Sequence, residues 1–189
     1  MHLQLSTVAL AQRPDGVAEP LGPRDAALLA WLALEGPTPR AQLAGLLWPE
    51  SAPEAARNTL RQRLFQLRKQ LGADLVCGQH TLQLAPGVVH DLAQAHTLLA
   101  DVTLDLGGDY AAWLLHQREQ RRAAHLQALQ TEADQREQAG QFEAALPPAQ
   151  ALLRLAPLSE AAHRRVMRLH YLGGDRAAAL LAFDACEQV

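Results

Sequence analysis

The 189-residue chain carries 17 basic and 20 acidic side chains, a formal net charge of -3 with histidine neutral. Hydrophobic residues make up 49% and charged residues 20%, a balance that supplies a packed core and excludes a disordered chain. Aromatics supply only 4%, so leucine and alanine must fill that core, and both favour helix. The length predicts two small domains. Residues 1–100 hold 8 basic and 8 acidic side chains and residues 101–189 hold 9 against 12, so any surface for a polyanion has to be local. Every basic residue except Lys69 is arginine, which suits bidentate contacts to phosphate and guanine; GC-rich coding gives the same bias. Cys77 and Cys186 are too few and too far apart for a disulfide framework or a zinc site. The start, Met1 to Ala11, lacks the basic region of a signal peptide, and no run approaches the ~18 apolar residues of a membrane span. A protein of the reducing cytoplasm is expected.

Along the chain, Leu3 and Leu5, then Val8 and Leu10, alternate with smaller or polar residues. Pro14-Asp15-Gly16 signals a turn, with Val17 to Leu21 returning as a second strand. After Gly22-Pro23 the pattern becomes helical. Leu28, Leu29, Trp31, Leu32 and Leu34 form a broad apolar face that Gly36 ends. Thr38-Pro39 has the form of a capping residue followed by proline at the first helical position, predicting a second helix with Leu43, Leu46 and Leu47 buried and Trp48-Pro49 as its stop. Ser51-Ala52-Pro53-Glu54 has the form of a capping box. It opens a third helix, about 53–71, in which Leu60, Leu64, Leu67 and Leu71 make one narrow stripe before Gly72. Asp74 to Cys77 and Thr81 to Leu84 are strand candidates joined through Gly78-Gln79-His80. Strand, three helices and hairpin is the order of a winged helix-turn-helix over residues 1–90.

From Asp91 the pattern is nearly all helical. Gly107-Gly108 separates a short helix of about residues 91–100 from a long one of about 109–139. Gly140-Gln-Phe-Glu-Ala-Ala-Leu146 reappears as Gly174-Asp-Arg-Ala-Ala-Ala-Leu180, an offset of 34 residues, which is the tetratricopeptide period of paired antiparallel helices. Pro147-Pro148 falls where the second helix of the first repeat should run, and proline in a helix interior costs about 3 kcal/mol. That helix is expected to start at Pro147 or to bend there. The pattern stops at Val189 inside a helix, so the chain is expected to be part of a longer protein. The predicted fold class is mainly α with a small β component: a winged helix-turn-helix, then an α-helical tetratricopeptide-like repeat domain over residues 91–189.

On a helical wheel the leucine stripe of helix 53–71 faces inward, and Asn58, Gln62, Gln66 and Lys69 lie opposite. Thr59 and Arg63 flank them on one side, Arg57, Arg61 and Arg68 on the other. Such a helix can enter the major groove of DNA, where Asn and Gln pair with adenine and Arg with guanine, while flanking cations hold phosphates and set the register. Asn58, Thr59, Gln62, Arg63 and Gln66 are therefore the base-reading candidates. Arg57, Arg61, Arg68 and Lys69 are the phosphate-binding candidates. Gln79 and His80, at the hairpin tip, are candidates for wing contact with the neighbouring minor groove or backbone. The same charges also fit an ordinary solvated helix face. Phe65 lies outside the core stripe and either contacts a thymine methyl or packs under the wing.

These residues carry a resemblance. The run Leu21-Gly-Pro-Arg-Asp-Ala-Ala-Leu-Leu-Ala30, with Leu46-Leu-Trp-Pro49, Arg57-Asn-Thr-Leu-Arg61 and Leu67-Arg-Lys-Gln-Leu-Gly72, resembles the SARP-type antibiotic regulatory activators, whose DNA-binding part is an OmpR-like winged helix. Tyr110-Ala-Ala-Trp113, Arg118-Glu-Gln-Arg121, Gly140-Gln-Phe142 and Leu155-Ala-Pro-Leu158 resemble the bacterial transcriptional activator domain that follows it. The resemblance implies promoter binding on double-stranded DNA, transcription activation, and a repeat domain used for pairing with a second copy or for contact with RNA polymerase or another regulator.

Enzymatic chemistry finds no footing. The eight histidines include no His-Glu-x-x-His, and His163 and His170 read as a satisfied surface pair rather than metal ligands. Ser6, Ser51 and Ser159 sit in no Gly-x-Ser-x-Gly. Gly107-Gly108 and Gly173-Gly174 are not followed by Lys-Ser/Thr, so no phosphate loop forms. No catalytic residue, metal, cofactor or membrane contact is expected. Two functions stay open: a DNA-binding regulator, and a protein-interaction scaffold whose winged helix no longer binds DNA.

Overall fold

Alternation places Leu3 and Leu5 on one side of the opening segment, and both are fully buried. In the computed structural model, which describes residues 1–13 and 15–187, this segment forms β1 (His2–Gln4), β2 (Leu10–Gln12) and β3 (Ala18–Pro20). Three strands thus stand where two were expected. The extra reversal at residues 6–8 has a cause far along the chain: the Asp91 carboxylate accepts hydrogen bonds from the backbone N–H of Leu5 (2.8 Å) and of Ser6 (3.2 Å) and from the Ser6 hydroxyl. Asp15 and Gly16 turn as predicted. Pro14 of that turn lies outside the described residues, as do Gln188 and Val189 at the end of the last helical pattern. A short β7 (Val89–His90) runs parallel to β1, His2 opposite Val89, giving a sheet of order β3-β2-β1-β7.

Three helices follow, α1 (Pro23–Glu35), α2 (Arg40–Leu47) and α3 (Pro53–Leu71). Thr38 does not cap α2. It lies in β4 (Thr38–Pro39), paired with β6 (Thr81–Leu84), and its hydroxyl donates to the Gly36 carbonyl (3.0 Å) while accepting from Trp31 Nε1 (3.1 Å). Tertiary partners thus outcompete the local capping role, and α2 starts after Pro39 with no side chain capping it. Nor does Ser51 form a capping box: α3 starts after Ala52 with Pro53 in its first turn, and no side chain caps it. β5 (Val76–Cys77) completes a second sheet of order β4-β6-β5. Leu28, Leu29, Leu43, Leu47, Leu60, Leu71 and Leu82 fill the core between these elements.

The helix expected over residues 91–100 reduces to a 3-10 turn at Asp91–Ala93. Beyond it, Leu98 and Leu99 are buried, and the backbone bonds back to the opening segment, Leu99 N–H to the Leu5 carbonyl (2.8 Å) and Ala100 N–H to that of Ser6 (3.1 Å). Those bonds use groups a helix would have needed. The long helix α4 (Gly108–Gln138) then begins. Tyr110 is buried with its hydroxyl donating to the Ala27 carbonyl (2.9 Å), and its ring clusters with Trp31 and Trp113. Burial pushes the Tyr110 phenol well above its ordinary pKa, the Arg118 charge pulling the other way. Arg118 itself donates to the carbonyls of Leu98 (2.9 Å) and Leu99 (2.6 Å). The first compact unit accordingly extends from Met1 to Arg121.

The second unit begins at Arg122, within α4, and contains α5 (Phe142–Leu155), α6 (Glu160–Leu172) and α7 (Arg176–Glu187). Gly140 and Gly174, the repeated glycines, both take positive φ (69° and 88°) in the turns before α5 and α7. α5 packs on α6 and α6 on α7 about a small core of Ala145, Ala149, Val166 and Leu169. α5 neither starts at Pro147 nor is interrupted there: it is helical from Phe142. Proline at 148 cannot supply the N–H that the Ala144 carbonyl would receive four residues on, and Arg136 Nη1 supplies a substitute at 2.8 Å. An ion pair with Glu132 holds that arginine. Arg165, whose side chain is only 12% exposed, pairs with Asp134 and Glu137, and Arg168 also reaches Glu137. Although burial alone would lower its pKa, these carboxylates raise that of Arg165 above the ordinary value. His163 is not the surface residue expected. It is buried, its Nε2 lying 2.8 Å from the Pro157 carbonyl. Cys77 and Cys186 are both free. Among the described residues no helix is long and apolar enough to cross a membrane. The described fold is mainly α with a small β component, and its later helices are tetratricopeptide-like.

Candidate nucleic-acid interface

α3 owes its orientation to its own sequence. Ala56, Leu60, Leu67 and Leu71 are buried, and Leu64 packs against the same core half-buried. Burial of that stripe turns the opposite side to solvent. Arg57, Asn58, Arg61, Gln62, Gln66, Arg68 and Lys69 are all exposed, so seven of the nine predicted site residues on this helix share one open surface.

The other two are held differently. Thr59 is half-buried, its hydroxyl donating to the Ala55 carbonyl one turn back (3.0 Å). Arg63 reaches across to α1, where its Nε donates to Asp25 Oδ1 (3.0 Å) and its Nη2 to Asp25 Oδ2. This bidentate geometry is the strongest form of a carboxylate–guanidinium contact. Two of the donors that a guanine would need are therefore spent inside the unit, clamping α3 to α1. Asp25 escaped the reading of the sequence. The signal was present, since an acid one turn before Leu28 and Leu29 on an apolar helix has to be paired when it is buried.

Arg57, Arg61 and Lys69 make no ion pair among the described residues. Arg68 lies 3.5 Å from Asp74 with both side chains well exposed, a surface contact worth little. The cationic flank is thus presented, not consumed.

The residues predicted for a wing lie on the β5–β6 hairpin. Gly78 is required at its turn: with φ at 109°, a Cβ there would stand 1.9 Å from the Thr81 carbonyl oxygen. Gln79 and His80 follow at the tip, both exposed, and the His80 carbonyl accepts from the Arg40 backbone N–H (2.9 Å). That bond ties the tip to the first residue of α2. Neither tip residue carries a fixed positive charge, so the exposed cations of the candidate surface lie on α3.

The family model for the bacterial transcriptional activator domain, BTAD, matches residues 89–189, just over half of the chain. No curated protein matches the chain. The matched region begins at β7 and includes the Tyr110, Trp113 and Arg118 anchors that pack into the first unit.

Proposed function

The chain belongs to the bacterial transcriptional activator domain family, and from that premise we propose that it is a sequence-specific DNA-binding regulator, an activator, whose α3 enters the major groove of double-stranded DNA. The observation that carries this reading is the division of α3 into a buried leucine stripe and an exposed Asn/Gln/Arg face. Asn58, Gln62 and Gln66 read base edges, with Thr59 as an acceptor at the margin. Arg57, Arg61, Arg68 and Lys69 bind phosphates. Arg63 serves the interface by holding α3 in place against Asp25, and Gln79 and His80 touch the backbone beside the groove. The exposed Leu180, Leu181 and Phe183 of α7 support an assembly role for residues beyond the winged helix: pairing with a second copy, or contact with RNA polymerase or another regulator. Pairing makes the second DNA contact intramolecular.

A salt-titrated binding assay on duplexes enriched from a random pool tests this. Gln62→Ala should weaken binding to the enriched site by about 1–3 kcal/mol and leave non-specific binding intact. Arg61→Ala should weaken both and lower the salt slope by about one unit. Absence of salt-dependent duplex binding by the unaltered protein would refute the reading and leave the scaffold role.

A further inference from the structure

Phe65 stands on the DNA-facing side of α3 and is 64% exposed. It does not pack under the wing. Arg61, Gln62, Arg63 and Gln66 surround it in a shallow depression of about 590 Å³, and the phenyl ring is the apolar element of an otherwise polar and cationic surface. The core does not explain it, because Leu60, Leu64 and Leu67 already occupy the inward positions on either side. A large apolar side chain held out among basic residues is matched by an occupant that is anionic overall yet offers a small apolar group. Double-stranded DNA is such an occupant. In the major groove, one base edge carries an apolar substituent, the C5-methyl of thymine.

We propose that Phe65 is a specificity-determining residue that selects thymine through that methyl group, at the base pair next to those read by Gln62 and Gln66. The inference rests on the reading of α3 as the DNA-binding helix, and deepens it by assigning one base. Phosphate contacts from Arg57 and Arg61 set how deeply the helix sits; the ring then meets the methyl where a polar side chain would have met only the O4 acceptor.

Replacing thymine by deoxyuridine deletes the methyl and nothing else. Duplexes are first enriched on the unaltered protein, and each thymine of the enriched site is then replaced singly. One replacement should weaken binding about fourfold, the effect of one methyl-sized group leaving an apolar contact. Phe65→Ala should bind the thymine and deoxyuridine duplexes equally and, enriched afresh, should lose the preference at that position alone. Because the ring is exposed, this substitution leaves the core intact. Sensitivity to deoxyuridine that persists in Phe65→Ala would overturn the proposal, as would an enriched site with no methyl-sensitive thymine. Failure of the unaltered protein to enrich any sequence would instead remove the DNA-reading role itself.

Discussion

The two units use the same residue type in opposite ways. In the first, leucines from four helices and two sheets form one extended core, and the arginines of α3 are left outward with few internal partners. In the second, the core centres on two alanines, a valine and a leucine, and Arg136, Arg165 and Arg168 are tied to carboxylates or a carbonyl. A chain-wide arginine bias does not distinguish these roles; the amount of apolar burial available nearby does. Where leucine supplies the stability, a charged face is free for a partner. Where it does not, charge becomes part of the packing.

The comparison can be broken most directly at Leu60. Leu60→Ala empties the centre of the first unit and should lower stability to urea by about 2–5 kcal/mol, together with loss of the duplex binding proposed for α3. Arg165→Met should cost less, about 2 kcal/mol, by leaving Asp134 without its charged partner and Glu137 with Arg168 alone. If urea denaturation showed Arg165→Met to be harmless, the ion pairs would be decoration and the second core sufficient. The smallest effects sharpen the contrast at helix starts. Ser159 caps α6, accepting from the Ala162 N–H at 3.3 Å, so Ser159→Ala should cost about 1 kcal/mol. Ser51, which caps nothing, should tolerate alanine within about 0.5 kcal/mol.

That contrast also marks what was legible in the sequence. α1, α3, the hairpin and the 34-residue glycine repeat were readable because their signals are local: a leucine period, a glycine stop, a turn residue. The exposed face of α3 followed from the same period. What escaped depends on residues distant in the chain. Asp91 folds back on Leu5 and Ser6, 86 and 85 positions away, and Leu99 and Ala100 bond to the carbonyls of the same two residues where a helix was expected. Thr38 looks like a cap until β6 and Trp31 compete for it. Arg63 looks like a base reader until Asp25, 38 positions earlier, is placed beside it. In each case a short-range preference of a few tenths to one kcal/mol yields to a tertiary bond that periodicity does not encode.

The contact between Arg136 and the Ala144 carbonyl bears on the order in which the chain acquires structure. Two adjacent residues that cannot donate interrupt the propagation of a helix, so a peptide covering residues 142–155 alone would have no donor for that carbonyl and little reason to stay helical. α5 is conditional on α4. During synthesis from the N-terminus, Arg136 is made before the prolines emerge. A circularly permuted chain starting at Gln141 would reverse that sequence of events, exposing the carbonyl to water before its donor exists. Within the second unit, α5 thus takes one of its backbone partners from a side chain of α4.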